Sequence, residues 1–384
     1  MNKPKIGVLI DWYLPGTKAG GPVRSVYSLV SLLKGYFDFY IITTNVDLGK
    51  TDPYKEVEPN KLFLKDNIHY YYFSKDHLNS KNLLALLKEI KPDLIYLNSF
   101  WSVNFSINIV RQKKQGLLTT PLLLAPRGML GKGALGLKAF KKQIFLALAN
   151  FLGWYVKVPF HATQEQEGKD ILHKFNSAKV LIAPNVNSGS VVKNESVKTE
   201  NTLKLFYLSR IAKVKNLHFA LEVLMEIPTT CAIEYDIFGN LEDSEYWNEC
   251  LQIMAKLPKN ITVTYKGELE FNEVQNTISN YHCLFLPTLN ENFGHSIVES
   301  LLCGCPVIIS DQTPWNDLEA NDAGFAINLN DKQKFIDSIE SYVKLNQEQF
   351  SEKSQKAINY ISKKIDLELI TNQYKTLFNE SIKN

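Results

Sequence analysis

Arginine is scarce in this 384-residue chain. Arg24, Arg111, Arg127 and Arg210 are the only four among 43 basic residues, so thirty-nine are lysines. Lysine serves wherever any cation suffices, which leaves the arginines as candidates for positions needing a planar, bidentate fork toward phosphate or carboxylate. Cysteine is scarce too: Cys231, Cys250, Cys283, Cys303 and Cys305 are odd in number and confined to the second half. Their number and apolar surroundings fit buried thiols better than a disulfide framework. Cys303-Gly304-Cys305 has no second pair at a zinc-site spacing, so no metal is expected there. No stretch reaches 18 uninterrupted apolar residues, and Met1-Asn2-Lys3-Pro4-Lys5 lacks the apolar core of a signal peptide, so a cytoplasmic protein is expected. The glycines after the first strand do not match a G-x-G-x-x-G fingerprint, no Asp-x-Asp follows a strand, and no Ser/His/Asp or Cys/His arrangement is apparent. These remove a Rossmann dinucleotide site, metal-nucleotide chemistry and a protein nucleophile from first consideration.

What remains is an ordinary globular composition, 45% hydrophobic and 22% charged, in a chain too long for one core. Two domains are expected. In the first half strands alternate with helices: strands at 5–11, 39–43, 94–97, 122–125 and 160–163, helices at 22–34, 83–90 and 134–152. Such alternation predicts a parallel sheet covered on both faces. Residues 183–202 turn polar and read as a linker, and alternation restarts with strands at 203–208, 233–238, 261–265, 283–286 and 307–309. The last residues, from Gln347, form amphipathic helices able to return to the first domain. The expected fold class is α/β: two doubly wound, Rossmann-like domains facing a central cleft. The expected boundaries are 1–185 for the first domain, 186–202 for the linker, 203–362 for the second, and 363–384 for the returning helix. Ligands in such sheets bind at the carboxyl ends of strands.

The most informative stretch runs from Leu286 to Glu299. A strand enters a loop containing Glu291, Asn292 and Phe293, Gly294 permits close backbone approach, and a helix begins near His295 and Ser296. Unsatisfied N–H groups at a helix start favour an anion, while carboxylates accept hydrogen bonds from sugar or ribose hydroxyls. A structural alternative stands beside this: Ser296 and Glu299 also fit a capping box.

Two other junctions have the same character. After the first strand, Gly20 and Gly21 leave room for a ligand and Pro22 opens a helix that carries Arg24 in its first turn, where the dipole disfavours a cation unless an anion lies nearby. The second domain opens with a strand, Arg210 in the following loop, and Lys215 at the next helix start. Arg210 could bridge diphosphate oxygens while Lys215 adds a point charge.

Together these residues, with Gly239 and Gly267 after strands, resemble the retaining family-4 glycosyltransferases of GT-B fold. Within that family the resemblance extends to bacterial capsule, O-antigen and exopolysaccharide enzymes through Ala125-Pro126-Arg127-Gly128-Met129-Leu130 and Ser310-Asp311-Gln312-Thr313-Pro314-Trp315. The resemblance implies a hexosyltransferase using a UDP-sugar and a glycan or lipid-linked acceptor, with no cofactor and no metal. It implies catalytic roles for Arg210, Lys215 and Glu291. Donor contacts would come from Gly21, Gly239, Gly267, Glu291, Asn292, Phe293, Gly294, His295, Ser296 and Glu299, the last on the ribose. Gly20, Arg24 and Arg127 would lie on the acceptor or phosphate side. One departure is Arg127, which stands where many relatives carry a histidine.

Two other readings are a UDP-sugar 2-epimerase-like isomerase and a non-catalytic nucleotide-sugar-binding protein. Nucleic acid is not an expected partner. The segment 131–158 mixes lysines (Lys132, Lys138, Lys141, Lys142, Lys157) with leucines and aromatics. It reads either as peripheral membrane association at the inner face or as a helix packed on its own sheet.

Overall fold

The computed structural model describes residues 3–131, 135, 139–187 and 189–383. The chain forms two compact units, residues 1–188 with 367–384, and residues 189–366. Lys132, Leu137 and Lys138 of the mixed basic segment lie outside the described residues.

In the first unit the strands are β1 (Lys5–Leu9), β2 (Asp38–Thr44), β3 (Leu62–Lys65), β4 (Ile68–Phe73), β5 (Leu94–Asn98), β6 (Leu122–Ala125), β7 (Phe160–Ala162) and β8 (Val180–Ile182). Their order is β3-β4-β2-β1-β5-β6-β7-β8, parallel except for the antiparallel β3–β4 edge pair. The helices are α1 (Gly21–Leu33), α2 (Ser80–Ile90), α3 (Asn108–Lys114), α4 (Ala139–Phe151) and α5 (Glu165–Lys174). Every residue of β5 and β6 is buried, which is why both read as unbroken apolar runs rather than alternating ones. β3, β4 and β8 escaped the sequence reading. β3 and β8 are short edge strands with half-exposed residues, so neither period nor burial marks them, and β4 is dominated by tyrosine.

In the second unit β9 (Thr202–Leu208), β10 (Ala232–Phe238), β11 (Ile261–Gly267), β12 (Cys283–Leu286), β13 (Val307–Ser310) and β14 (Gly324–Ile327) form one sheet. Its order is β11-β10-β9-β12-β13-β14, with parallel pairing throughout. Winding therefore runs outward from β9 in one direction and, after β12, in the other. The helices are α6 (Leu217–Leu224), α7 (Ser244–Met254), α8 (Val274–Ile278), α9 (His295–Leu302), α10 (Lys332–Val343) and α11 (Gln347–Lys364). Residues 190–201 are irregular but not loose. Lys198 is 2% exposed and its ammonium donates to the carbonyls of Thr199, Val343 and Leu345, so this polar stretch straps the second core. All five cysteines are buried free thiols.

The C-terminal helices part company at Asp366. α11 stays on the second unit, where Tyr360 donates to Asp317. α12 (Leu367–Ile382) packs on the first sheet and sets Phe378 against Phe37, Phe39 and Tyr96, with ring centroids 5.3, 6.4 and 5.4 Å away.

Beneath α12 lies a buried polar chain. His161, fully buried, places Nε2 2.8 Å from the Ala183 carbonyl, which can only accept, so Nε2 carries the proton. Nδ1 must then accept from the Tyr96 hydroxyl at 2.6 Å, and the Tyr96 oxygen in turn accepts from Arg127 at 3.0 Å. Burial, reinforced by the Arg127 charge, pushes the His161 pKa down to about 3. Burial likewise lowers His282 in the second unit to about 4. In the unfolded chain both imidazoles protonate near pH 6.5, whereas the folded ones stay neutral. Stability is therefore complete above pH 6.5 and lost as pH falls from there toward 3. Urea unfolding monitored at pH 7.5 and at pH 5 should show a loss of about 1–2 kcal/mol per histidine. In His161→Gln the loss over the same interval should shrink.

Candidate donor and acceptor sites

The second sheet reverses its winding between β9 and β12. At such a point the two neighbouring loops diverge and leave a crevice at the carboxyl ends of the strands. Arg210 and Lys215 follow β9, and Glu291 follows β12. Several bonds fix the two loops together. The Asn216 amide donates to the Pro287 carbonyl at 2.9 Å, Leu289 N–H to Val214 at 2.8 Å, and the Thr288 hydroxyl to Val214 at 3.0 Å. Across this seam the Lys215 ammonium meets the Glu291 carboxylate at 2.5 Å, with side chains only 10% and 18% exposed. Lys215 precedes α6 on a short 3-10 turn rather than on the helix itself.

Glu291 is held from the other side as well. Its N–H donates to the Gln312 carbonyl at 3.0 Å in the loop after β13. In the same loop Trp315 donates its indole N–H to the Phe293 carbonyl at 2.6 Å, and the Phe293 ring meets His295 and Trp315 edge-on. Gly294 caps α9 in the left-handed region at φ 80, where an added Cβ would stand 2.7 Å from Ile297 Cδ1. The helix thus starts at His295, and Ser296 is its second residue. The capping box is not built, because the cap position belongs to a glycine and no side chain caps the helix. The first N–H groups of α9 lack an acceptor within the helix, as in any α-helix. Glu299 sits one turn further in and is 5% exposed.

Arg210 pairs with Glu242 in the loop after β10, both partly exposed. Sequence reasoning missed Glu242, although an acid three residues beyond Gly239, in the loop after the strand paired with β9, was a readable signal. Gly239 (φ 145) donates its N–H to the Gly267 carbonyl at 2.8 Å, and an added Cβ would lie 1.8 Å from the Ser209 carbonyl oxygen. Gly267 has φ 83 but open space within 4 Å.

In the first unit the corresponding reversal lies between β1 and β5. There the Ser102 hydroxyl donates to the Asp11 carboxylate at 2.6 Å, while Thr44 donates to the Asp11 carbonyl at 2.6 Å. Burial raises the Asp11 pKa, and the Ser102 bond opposes the rise. The loop leading to α1 is pinned by the Asp47 carboxylate, which accepts from Thr17 and Lys18 N–H at 3.2 and 3.4 Å. Gly20 caps α1, Gly21 begins it exposed, and Arg24 stands half-buried in its first turns with no acidic residue beside it in that turn.

Arg127, expected toward acceptor or phosphate, follows β6 in the first unit. Its guanidinium donates to Asn185 at 2.6 Å, Asn98 at 2.7 Å and the Tyr96 hydroxyl at 3.0 Å, so its fork is engaged inside the first unit. The planar geometry that suited it to phosphate suits three neutral oxygens equally. Glu167, 3% exposed and also missed, supports the same loop by accepting from Gly128 N–H at 2.6 Å and Thr163 N–H at 2.7 Å.

The two parallel-sheet units constitute a GT-B fold, and residues 190–364 match the family model described as glycosyl transferases group 1, so the second unit carries that domain. Among solved structures, HepE from Anabaena in complex with UDP and glucose is similar at TM-score 0.72 and 17% identity, over 98% of this chain and 100% of that one. Sucrose-phosphate synthase from Thermosynechococcus elongatus follows at 0.69 and 14% identity, over 98% and 99% of the two chains. The pneumococcal O-GlcNAc transferase GtfA, in complex with UDP and GlcNAc, aligns at 0.64 and 12% identity over 100% of both chains. The O-antigen chain mannosyltransferase RfbU of Salmonella typhimurium is 26% identical over 102 residues, which span 27% of this chain and 29% of that protein.

The two glycines give a discriminating test of the site's backbone. Gly239→Ala should destabilise the second unit by about 3 kcal/mol or more, since a backbone oxygen must move. Gly267→Ala should cost only the left-handed conformation, about 1–2 kcal/mol, in urea unfolding followed by circular dichroism.

Proposed function

We propose that the protein is a retaining family-4 glycosyltransferase. It moves a hexose from a UDP-sugar to a glycan or lipid-linked oligosaccharide in the synthesis of bacterial surface polysaccharide, in the cytoplasm or at the inner face of the membrane. The observation that carries this reading is the largely buried Lys215–Glu291 pair at the β9/β12 switch point, with Arg210 on the same loop as Lys215. A diphosphate at that crevice gains two cations, and the carboxylate left beside it accepts hydrogen bonds from hydroxyls of the transferred sugar. The start of α9 at His295 and Ser296 adds N–H donors, Glu299 takes the ribose, and the open space over Gly267 suits the base.

Transfer then needs no protein nucleophile. The acceptor hydroxyl oxygen bonds to the anomeric carbon on the face from which the diphosphate departs, the bond from that carbon to the phosphate oxygen breaks, and the acceptor proton passes to the leaving phosphate. Lys215 and Arg210 stabilise the charge that develops on the leaving group. The similarity to a structure holding UDP and glucose supports a UDP-sugar donor, and RfbU supports a surface-polysaccharide setting. No metal takes part in this scheme.

Arg210→Ala should lower turnover by about 100-fold or more with an unchanged melting temperature, because Arg210 is partly exposed. Glu291→Ala should abolish transfer and also destabilise the second unit by about 1–3 kcal/mol, since it strands a nearly buried lysine. A thermal-shift screen against UDP-, GDP-, ADP- and dTDP-sugars identifies the donor, and NMR of the product identifies its anomer. Undiminished turnover in Arg210→Ala would sink the assignment, an inverted anomer would refute retention, and activity lost to EDTA and restored by a divalent cation would refute metal independence. Epimerised donor without acceptor would favour an isomerase.

A further inference from the structure

Between Asp93 and Glu165 the sequence carries no acidic residue and nine basic ones. This stretch includes α4, whose two faces are both apolar. The inner one packs on the first unit's core: Leu146 is 6% and Ala149 0% exposed, and Phe145 stands edge-on to Trp101 and Trp154. Phe140, Ile144, Leu148 and Phe151 fall on the opposite face at helical spacing and are 75%, 53%, 48% and 87% exposed. The row extends about 16 Å at the helical rise. Beyond α4 the chain continues it with Leu152 and Val156, 41% and 64% exposed.

Cations lie along the same segment and at its flank. Lys141 and Lys157 are exposed, and Lys142 lies 5.5 Å over the Trp101 ring. From α3, Arg111 stacks on Trp154 at 5.4 Å, and the Lys114 ammonium lies 3.6 Å from where a Gly153 Cβ would stand. Leu117, just past α3, is 52% exposed. Large side chains exposed singly need no explanation, but a contiguous row does. Among the described residues no helix is long and apolar enough to cross a membrane.

We propose that the outward face of α4, with the end of α3, is a docking surface for an anionic lipid bilayer, its aromatic and aliphatic row entering the headgroup boundary while the lysines meet the lipid phosphates. Charge complementarity selects this occupant, because an apolar row in a segment that carries nine cations and no acid matches a diffuse negative plane. A second copy of the same surface would face it with like charge. The inference extends the proposed function, since it places the first unit where a lipid-linked acceptor is found, and it needs only that unit's surface to be tested.

The full-length protein should co-sediment with vesicles of equal parts phosphatidylcholine and phosphatidylglycerol, and at least about tenfold less with phosphatidylcholine alone or in high salt. The double variant F140E/F151E should lose binding by about tenfold or more, and K141E/K157E should lose the preference for anionic vesicles, each with an unchanged circular dichroism spectrum and donor-induced thermal shift. Equal sedimentation of parent and F140E/F151E would overturn the proposal. So would equal binding to both vesicle types, or light scattering showing a dimer that F140E/F151E dissolves. Vesicle binding by a protein that hydrolyses or transfers no UDP-sugar would leave the surface assigned and remove only the enzymatic reading.

Discussion

The reversal of winding between β9 and β12 is the constraint on which the second unit's chemistry depends. Parallel strands put all their carboxyl ends on one edge, and at the reversal the chain leaves β9 and β12 in opposite directions. Lys215 and Glu291, 76 positions apart in the chain, meet because their strands are neighbours while their helices are not. Hydrogen bonds from Asn216, Thr288 and Leu289 then close the seam beneath them, so that the ion pair rests on a rigid base. The first unit repeats the arrangement with neutral and acidic groups in place of the ion pair, Ser102 donating to Asp11 across β1 and β5.

Arginine scarcity proved informative in an uneven way. Arg210 stands at the crevice with its fork held by a partly exposed glutamate, an interaction weak enough to be exchanged for a ligand. Arg127 spends the same fork on Asn98, Asn185 and Tyr96, where its charge adds to burial in keeping His161 neutral. Both residues follow strands, and both satisfy the geometric reason for choosing arginine over lysine. Nothing local separates a guanidinium turned outward from one turned inward, because that depends on partners 29 to 58 positions away.

Helix α4 shows a related limit. Its mixture of lysines with leucine and phenylalanine was legible, and so were its two explanations, an internal packing face or a membrane face. The fold needs only the side bearing Phe145, Leu146 and Ala149, since the neighbouring core is already filled by Phe100, Tyr155 and Trp154. Periodicity measures which residues share a face, not how many faces the protein covers.

The sequence by itself determined the α/β class, the buried central strands, and the junctions bearing Gly20–Arg24, Arg210–Lys215 and Glu291–Glu299. Those features are local, written in apolar runs, glycines and charges at element ends. Tertiary structure decided the rest. It made β4 and the edge strands β3 and β8, gave Gly294 the cap that Ser296 had seemed to claim, joined Lys215 to Glu291, and set Arg127 on Asn98, Asn185 and Tyr96. Each of these turns on which surfaces meet, and a chain's spacing fixes its own periods but not the partner that each face will find.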